Sequence, residues 1–281
     1  MNNILFDKNN IRLEISFKSY SELLSILSFY QKNKIYKINI PCKQCLRKDF
    51  LLNSIKIARD EFPRIDIIPH FSILHEFRRN RLNTQFYLNE FLQEIKFLGC
   101  NQILLISGSK KRLTFDSVTA LSSLKNTSIF SNGDFSIGVA FNPYLPQSIF
   151  NEEIIRLEKK IKTGIVSSIW IQFGTDIKFL ENRIEILKSV ILNTKETNSE
   201  ILDIKLFGSI LIPSKQFLTR FKYRPWKGVY CSSQFLESVD FANSLIIKLL
   251  ETYMMNKIFP LIETNISTEG QLNSLTKLLE L

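Results

Sequence analysis

The 281-residue chain is poor in the residues that build disulfide-rich, fibrous or membrane-spanning proteins. Its four cysteines, nine glycines and eight prolines are too few for a disulfide scaffold or a collagen-like fibre. No apolar run approaches the roughly 18 residues that cross a bilayer. The first ten residues, MNNILFDKNN, lack the basic segment and the apolar run of a secretory signal. We therefore expect a cytoplasmic protein with reduced thiols and no membrane span.

The composition that remains is that of a folded, basic protein. Apolar residues make up 44% of the chain and charged residues 23%, which excludes wholesale disorder. Lysine and arginine number 37 against 27 acidic residues, which gives a formal net charge of +10. Such an excess favours nucleic acid, an anionic lipid surface or a polyanionic small molecule, and it does not choose among them.

Short runs rich in β-branched residues alternate with longer amphipathic stretches along the chain. The predicted strands are residues 11–17, 35–40, 65–71, 102–107, 135–141, 166–173, 204–211 and 258–264. The predicted helices are residues 19–33, 47–60, 83–98, 116–125, 151–163, 177–193, 214–221 and 268–279, with a longer one inside 233–254. Strands separated by helices pair in parallel through right-handed crossovers. Eight such units predict one domain over residues 1–281, a single (β/α)8 TIM barrel.

A barrel of this kind places its active site at the C-terminal ends of the strands. Glu14 lies there in strand one, and an apolar surround would raise its pKa and make it a proton donor. The alternative is a polar strand-end residue that pairs with Arg12 or a nearby lysine. His70 ends strand three, either as a ligand contact or as a hydrogen-bonded histidine at the edge of the core. Neither His70 nor His75 has partners at metal-ligand spacing, so we propose no metal.

The segment after strand four, residues 107–112, combines a glycine and two serines with three cations. It suits a phosphate or carboxylate, although a solvated basic loop has the same composition. The spacing of a P-loop is absent, and no GxGxxG occurs in the chain. Cys42 and Cys45 form one CxxC without a second pair, and we interpret these cysteines as structural.

Two further candidates follow strands six and seven. The amide of Gln172 can both donate and accept hydrogen bonds, which suits the edge of a heterocycle or, alternatively, the backbone at the rim of the barrel. Phe217 is either a stacking platform or a core aromatic. The stretch 217–228 (FLTRFKYRPWKG) interleaves cations with aromatics, a pattern that can bind single-stranded nucleic acid. We favour an amphipathic segment that buries its rings.

Several of these stretches resemble, in the same order, motifs of the methylenetetrahydrofolate reductase family. LEISF resembles the family's first strand, IIPHF its Pro-His motif after strand three, and LLISGS its LRGD strand and turn. VAFNP resembles A-x-YPE, and RLEKKIKTG with IWIQFGTD is similar to K-x-x-AG…TQ-x-x-x-D. ILIPSKQF is similar to ILP…F, and FPLIETN to the last strand. The resemblance covers about residues 11–275.

This resemblance implies an FAD-containing flavoprotein that reduces 5,10-methylenetetrahydrofolate to 5-methyltetrahydrofolate. Glu14 falls on the family's general acid. The family's flavin contacts correspond to His70 and, in the turn after strand four, to Gly108 and Ser109. The family's lysine at the cofactor phosphates corresponds approximately to Lys160.

The substrate-facing residues are also implied by the resemblance. Gln172 falls on the folate-contacting glutamine, and Phe217 falls on the aromatic that packs against the substrate. The basic surface suits a folate with a polyglutamate tail. The electron donor is open between a nicotinamide and a protein, the oligomeric state is open, and we do not favour nucleic acid as a partner.

The chain also departs from the family's motifs. Ser107 and Ser109 replace the arginine and the aspartate of LRGD, and Asn142-Pro143-Tyr144 replaces YPE. Ile266 replaces the arginine after the last strand. In the family, the aspartate lies beside the flavin and the folate ring, and that arginine is a charged partner at the substrate end. The cations of residues 110–112 could supply other positive charges. The alternative prediction is a catalytically diverged barrel that acts as a folate-binding or regulatory partner protein.

Overall fold

A closed barrel of eight parallel strands forms the centre of the protein, with the strands in chain order. The structure is a computed structural model that describes residues 10–42, 48–75, 83–107 and 115–279. The strands are β1 Arg12–Glu14, β2 Lys37–Ile40, β3 Asp66–Ser72, β4 Gln102–Ile106, β5 Ser136–Phe141, β6 Val166–Ile171, β7 Lys205–Ile210 and β8 Ile258–Ile262. The barrel closes where β1 pairs with β8. This confirms the predicted single (β/α)8 TIM barrel.

Helices between the strands form the outer layer and bury their apolar faces against the barrel. They are α1 Tyr20–Lys32, α2 Lys48–Glu61, α3 Thr84–Phe97, α4 Ser117–Leu124, α5 Gln147–Ile161, α6 Ile177–Thr197, α7 Lys215–Tyr223, α8 Ser233–Glu237, α9 Val239–Met255 and α10 Glu269–Leu279. A short 3-10 helix, Ser128–Phe130, precedes β5. In the described part of the chain, no helix has both the length and the apolarity to cross a membrane.

Side-chain caps fix where several helices begin. Ser19 caps α1 by accepting a hydrogen bond from the backbone N–H of Glu22 at 3.2 Å. Ser238 caps α9 in the same way, and it divides the long helical region predicted within 233–254 into two helices. The helix predicted from residue 151 begins four residues earlier, directly after Pro146, whose fixed φ suits a helix start. This first turn buries one side chain, Phe150.

The inside of the barrel is closed by a small apolar cluster. Trp170 and Phe207 stack there, with ring centroids 4.1 Å apart and planes at 9°. The cluster consists of Ile68, Leu104, Trp170, Phe207 and Leu261. The Trp170 indole N–H donates to Ser168 Oγ at 2.8 Å, which satisfies its one polar atom. The cluster is therefore the floor beneath whatever site the strand ends build.

Gly138 on β5 leaves the room that this tryptophan occupies. An added Cβ would lie 2.4 Å from Trp170 Nε1 and 2.7 Å from Ser168 Oγ. We expect Gly138→Ala to lower the free energy of unfolding by about 1–3 kcal/mol, because a packed ring must shift to admit the methyl group. Urea denaturation measures this change. Gly270→Ala is the control, since nothing lies within 4 Å of its added Cβ. Equal stability of the two variants would contradict the packing described.

Candidate functional site

Glu14 is the last residue of β1 and faces the C-terminal opening of the barrel, called the mouth below. Side chains two apart on a strand share a face, and Arg12 points into the barrel interior. The Arg12 guanidinium donates to Asn39 Oδ1 at 2.7 Å, to Asp66 Oδ2 at 2.5 Å and to Ile38 O at 2.6 Å. Arg12 therefore turns away from the mouth and forms no ion pair with Glu14, which removes one of the two kinds of partner that the alternative prediction offered. Glu14 itself is half-buried.

His70 lies in the same interior surface on β3 and is only 4% exposed. Its Nε2 lies 2.9 Å from the Nδ2 of Asn39, a fully buried residue of β2. Glu14 and Asn39 are register partners on adjacent strands, and Asn39 contacts His70 across the next pair. The structure thus gathers the predicted acid and the predicted cofactor-contacting histidine at one side of the mouth.

Gln172 follows β6 and continues its alternation. Its backbone N–H donates to Phe141 O at 2.9 Å, so the chain is still extended there. Because Trp170 lies in the interior cluster, Gln172 faces the mouth above it. The side-chain amide is half-buried and makes no hydrogen bond with any described residue. The alternative prediction was that this amide satisfies backbone groups at the rim of the barrel, and it makes no such hydrogen bond with a described residue.

A second mouth glutamate, Glu263, stands at the end of the predicted last strand, but the sequence alone indicated no role for it. Leu13 pairs with Ile262 across the β1–β8 seam, so one step further the same register sets Glu263 beside Glu14. Ser209 Oγ donates to Glu263 Oε1 at 2.5 Å. The sequence signal was a lone glutamate directly after the apolar strand FPLI, but only barrel closure brings it next to β1.

Lys160 lies in the outer layer, in the last turn of α5, apart from the mouth residues. It is 5% exposed, and burial lowers the pKa of its ammonium group. That ammonium makes no hydrogen bond or ion pair with any described residue. Glu153, Arg156 and Asp116 act on it electrostatically. Asp116 is the N-cap of α4, the helix that follows β4 in the chain, so Lys160 lies within electrostatic reach of the start of that helix.

Phe217 lies in the first turn of α7, which follows β7 at the mouth end of the barrel. Its ring contacts Trp226, Phe221 and Phe235, with centroids 5.5, 5.8 and 6.3 Å away. Phe235 is fully buried and Trp226 is 43% exposed. The rings of this segment pack on one another, and the half-buried Phe217 borders both the core and the surface.

The segment 142–144, which departs from the family motif, follows β5 and forms hydrogen bonds with the segments that follow β6 and α7. Asn142 Nδ2 donates to Gly228 O at 2.9 Å, and Tyr144 Oη donates to Gly174 O at 2.9 Å. An added Cβ at Gly174 would lie 2.2 Å from the Tyr144 ring, and burial raises the pKa of Tyr144 well above its ordinary value. Tyr230 stacks on Tyr144 at 5.9 Å. These residues shape the mouth rather than offer titratable groups to it.

The remaining predicted residues divide between structural roles and the undescribed part of the chain. Gly108, Ser109, residues 110–112 and Cys45 lie outside the described residues. Ser107 Oγ accepts from the Ser117 backbone N–H at 3.0 Å and so anchors the start of α4. Burial raises the pKa of the Cys100 and Cys231 thiols to about 12, which suits structural cysteines. Within the described ranges, no three His, Cys, Asp or Glu side chains are grouped to hold a metal ion.

The fold and the polar mouth define a single (β/α)8 barrel, and comparison with solved structures agrees. A thermostable aldo-keto reductase in complex with the inhibitor epalrestat has a TM-score of 0.54 at 12% identity, over 97% of this chain and 90% of that chain. An aldo-keto reductase from Klebsiella pneumoniae in complex with NADPH has a TM-score of 0.50 at 11% identity, over 97% and 86%. A 2,3-dimethylmalate lyase of the PEP mutase/isocitrate lyase superfamily has 0.52 at 8% identity, over 95% and 76%.

At identities this low, the likeness establishes the fold alone. No protein-family profile and no curated protein matches the chain.

Proposed function

We propose that the protein is a flavin-dependent oxidoreductase similar to methylenetetrahydrofolate reductase, which reduces the methylene group of 5,10-methylenetetrahydrofolate. One observation supports this most strongly. Glu14, His70 and Gln172, which the resemblance assigns to one active site, come from three strands and face the same mouth of one barrel. A carboxylic acid, a buried imidazole and an unbonded amide there form a site for proton transfer to a polar heterocycle.

The residues present fit an FAD group at two levels. At the mouth, His70 and Gln172 offer polar contacts to a ring. In the outer layer, the Lys160 side chain is 5% exposed, and its ammonium makes no salt bridge with a described residue, although Glu153 and Asp116 act on it electrostatically. A cofactor phosphate would give this ammonium a close counter-charge. When bound, the reduced flavin supplies the hydride that the methylene carbon accepts.

The chain's own residues supply position and a proton. Cleavage of the bond between the methylene carbon and one ring nitrogen leaves that nitrogen in need of a proton, and Glu14 is placed to donate it. Gln172 can donate to and accept from the edge of the pterin. Phe217 borders the mouth as an apolar wall. The cluster around Trp170 and Phe207 forms an apolar floor below the mouth.

The second candidate, a diverged barrel that binds folate or a partner without turnover, also has support. Ile266, where the family has an arginine, is 1% exposed and belongs to the hydrophobic core. Asn142 and Tyr144 make structural hydrogen bonds. Folate binding by the FAD-loaded protein, without oxidation of the reduced cofactor, would select this candidate over the reductase.

Lys160→Met tests the cofactor site directly. We expect FAD affinity to fall roughly 10- to 100-fold, because one charge-assisted contact to a phosphate contributes about 1.5–3 kcal/mol. The free energy of unfolding without FAD should change little, since the ammonium makes no hydrogen bond or ion pair with a described residue and methionine has a similar length. Fluorescence titration measures the first quantity and urea denaturation the second.

Lys159→Met is the matched control, because Lys159 is the exposed neighbour on the same helix. Equal FAD affinity in the two variants would remove Lys160 from the cofactor site.

A further inference from the structure

A chain of polar side chains crosses the barrel interior from β3 through β1 and β2 and back to β3. It runs from Asp66 to Arg12 at 2.5 Å, from Arg12 to Asn39 at 2.7 Å and from Asn39 to His70 at 2.9 Å. Arg12 is 3% exposed, Asn39 is fully buried, and His70 is 4% exposed. None of these three can exchange a protein partner for bulk water, so the direction of each hydrogen bond is set by chemistry.

The direction is fixed at the arginine. A guanidinium group donates five hydrogen bonds and accepts none. The Asn39 atom that faces Arg12 Nε must therefore be the carbonyl oxygen Oδ1, because the opposite orientation would set two donors against each other. Arg12 cannot rotate away, since its remaining nitrogens are held by Ile38 O and by the side chain and carbonyl of Asp66. The orientation of the amide is thus determined by its surroundings rather than by a choice between similar atoms.

The consequence passes to the histidine. With Oδ1 committed to Arg12, the Asn39 atom facing His70 is Nδ2, which only donates. His70 Nε2 must then accept, so it has no proton. We propose that Arg12 and Asn39 hold His70 as the neutral tautomer with its proton on Nδ1.

This assignment fixes what each nitrogen of the ring can do. Nε2 accepts from Asn39 and Nδ1 is a donor, so the hydrogen-bond partner of Nδ1 must be an acceptor and not an ammonium or another N–H group. Nε2 is not available as a proton acceptor, so among the described mouth residues proton transfer falls to carboxyl groups such as Glu14 and Glu263. Arg12 and Asn39 are positioning residues in this scheme, since they act only through His70.

The chain offers a direct measurement because it contains two histidines. In protein labelled with ¹⁵N-histidine, two-dimensional NMR distinguishes a proton-bearing ring nitrogen from a bare one. The spectrum of the ligand-free protein should show a bare Nε2 and a proton-bearing Nδ1 for His70. The His75→Gln variant assigns the two rings. A proton-bearing Nε2 on His70 would overturn the proposal.

Asn39→Asp is the variant that should reverse the tautomer. The aspartate keeps an oxygen for Arg12 and turns the other toward His70 Nε2, which must then become a donor. We expect a proton on Nε2 in this variant. Asn265→Asp adds the same charge at the mouth and keeps the Oδ1 that accepts from the Ser16 backbone N–H at 3.4 Å, and it should leave the ring as in the parent.

An unchanged His70 in the Asn39→Asp protein would also contradict the assignment. If that variant fails to fold, the spectrum of the parent protein decides alone. No flavin or folate is present in these samples, so the result does not depend on the proposed reductase activity.

Discussion

Replacing Glu14 by Gln should lower the rate of folate reduction by about 10²- to 10⁴-fold while flavin affinity stays unchanged. The range is that of a general acid removed from a positioned site. Glutamine keeps the size and hydrogen-bonding polarity of the side chain but has no acidic proton. The loss should therefore appear in the maximal rate far more than in the Michaelis constant for the folate. Steady-state kinetics with the FAD-loaded protein and a chemical electron donor measure both.

Glu263→Gln is the matched control for this variant. Glu263 lies in the same mouth, but its Oε1 already accepts from the Ser209 hydroxyl, which ties this carboxyl group to β7. We expect a smaller loss of rate than with Glu14→Gln. A fully active Glu14→Gln protein would remove the acid from the account, and the reverse order of effects would assign the proton to Glu263.

Replacing Arg12 by Met should lower the free energy of unfolding by about 2–4 kcal/mol. The ion pair itself contributes little, because Asp66 is 53% exposed and solvent screens it. The larger cost comes from Asn39 Oδ1 and Ile38 O, two acceptors inside the barrel that lose a charged donor. Each buried polar group left without a partner costs about 1–3 kcal/mol. Methionine fills most of the vacated volume, so a cavity adds little.

Urea denaturation checks this value, with Arg64→Met as the control. Arg64 lies in an exposed turn, and such surface substitutions usually change stability by less than about 0.5 kcal/mol. The same Arg12→Met sample reports on the histidine, since a released Asn39 amide no longer dictates the tautomer of His70. Equal stability of the two variants would show that Arg12 does not hold the interior network together.

Most of the fold follows from local pattern. Each strand is a short β-branched run and each helix an amphipathic stretch with a capping residue, as Ser19 shows for α1. The misplaced boundaries have local causes. β1 spans three residues because its pairing is confined to Leu13 and Glu14 on the β2 side and to Arg12 and Leu13 on the β8 side. α5 starts early because Pro146 suits a helix start. The order of the strands in the barrel follows from connectivity alone.

The site could be predicted only where the alternation of side chains along a strand shows which residues face the barrel interior. Glu14 and Gln172 stand at strand ends on the inward face, which alternation shows. The network that holds His70 could not be read in this way, because Arg12 bonds residues 27 and 54 positions away. The neighbourhood of Glu14 and Glu263 likewise exists only because the barrel closes between β1 and β8. The lack of an ion pair between the Lys160 ammonium and any described residue depends on how the helices pack, which a single sequence does not show.

The central claim is that the mouth reduces a folate through a bound flavin. The most direct test records the visible spectrum of the FAD-loaded protein, reduced under anaerobic conditions and then mixed with 5,10-methylenetetrahydrofolate. We predict that the absorption of oxidised flavin returns in proportion to the 5-methyltetrahydrofolate formed. A protein that takes up FAD and stays bleached in the presence of folate, or one that takes up no FAD at all, would contradict the account.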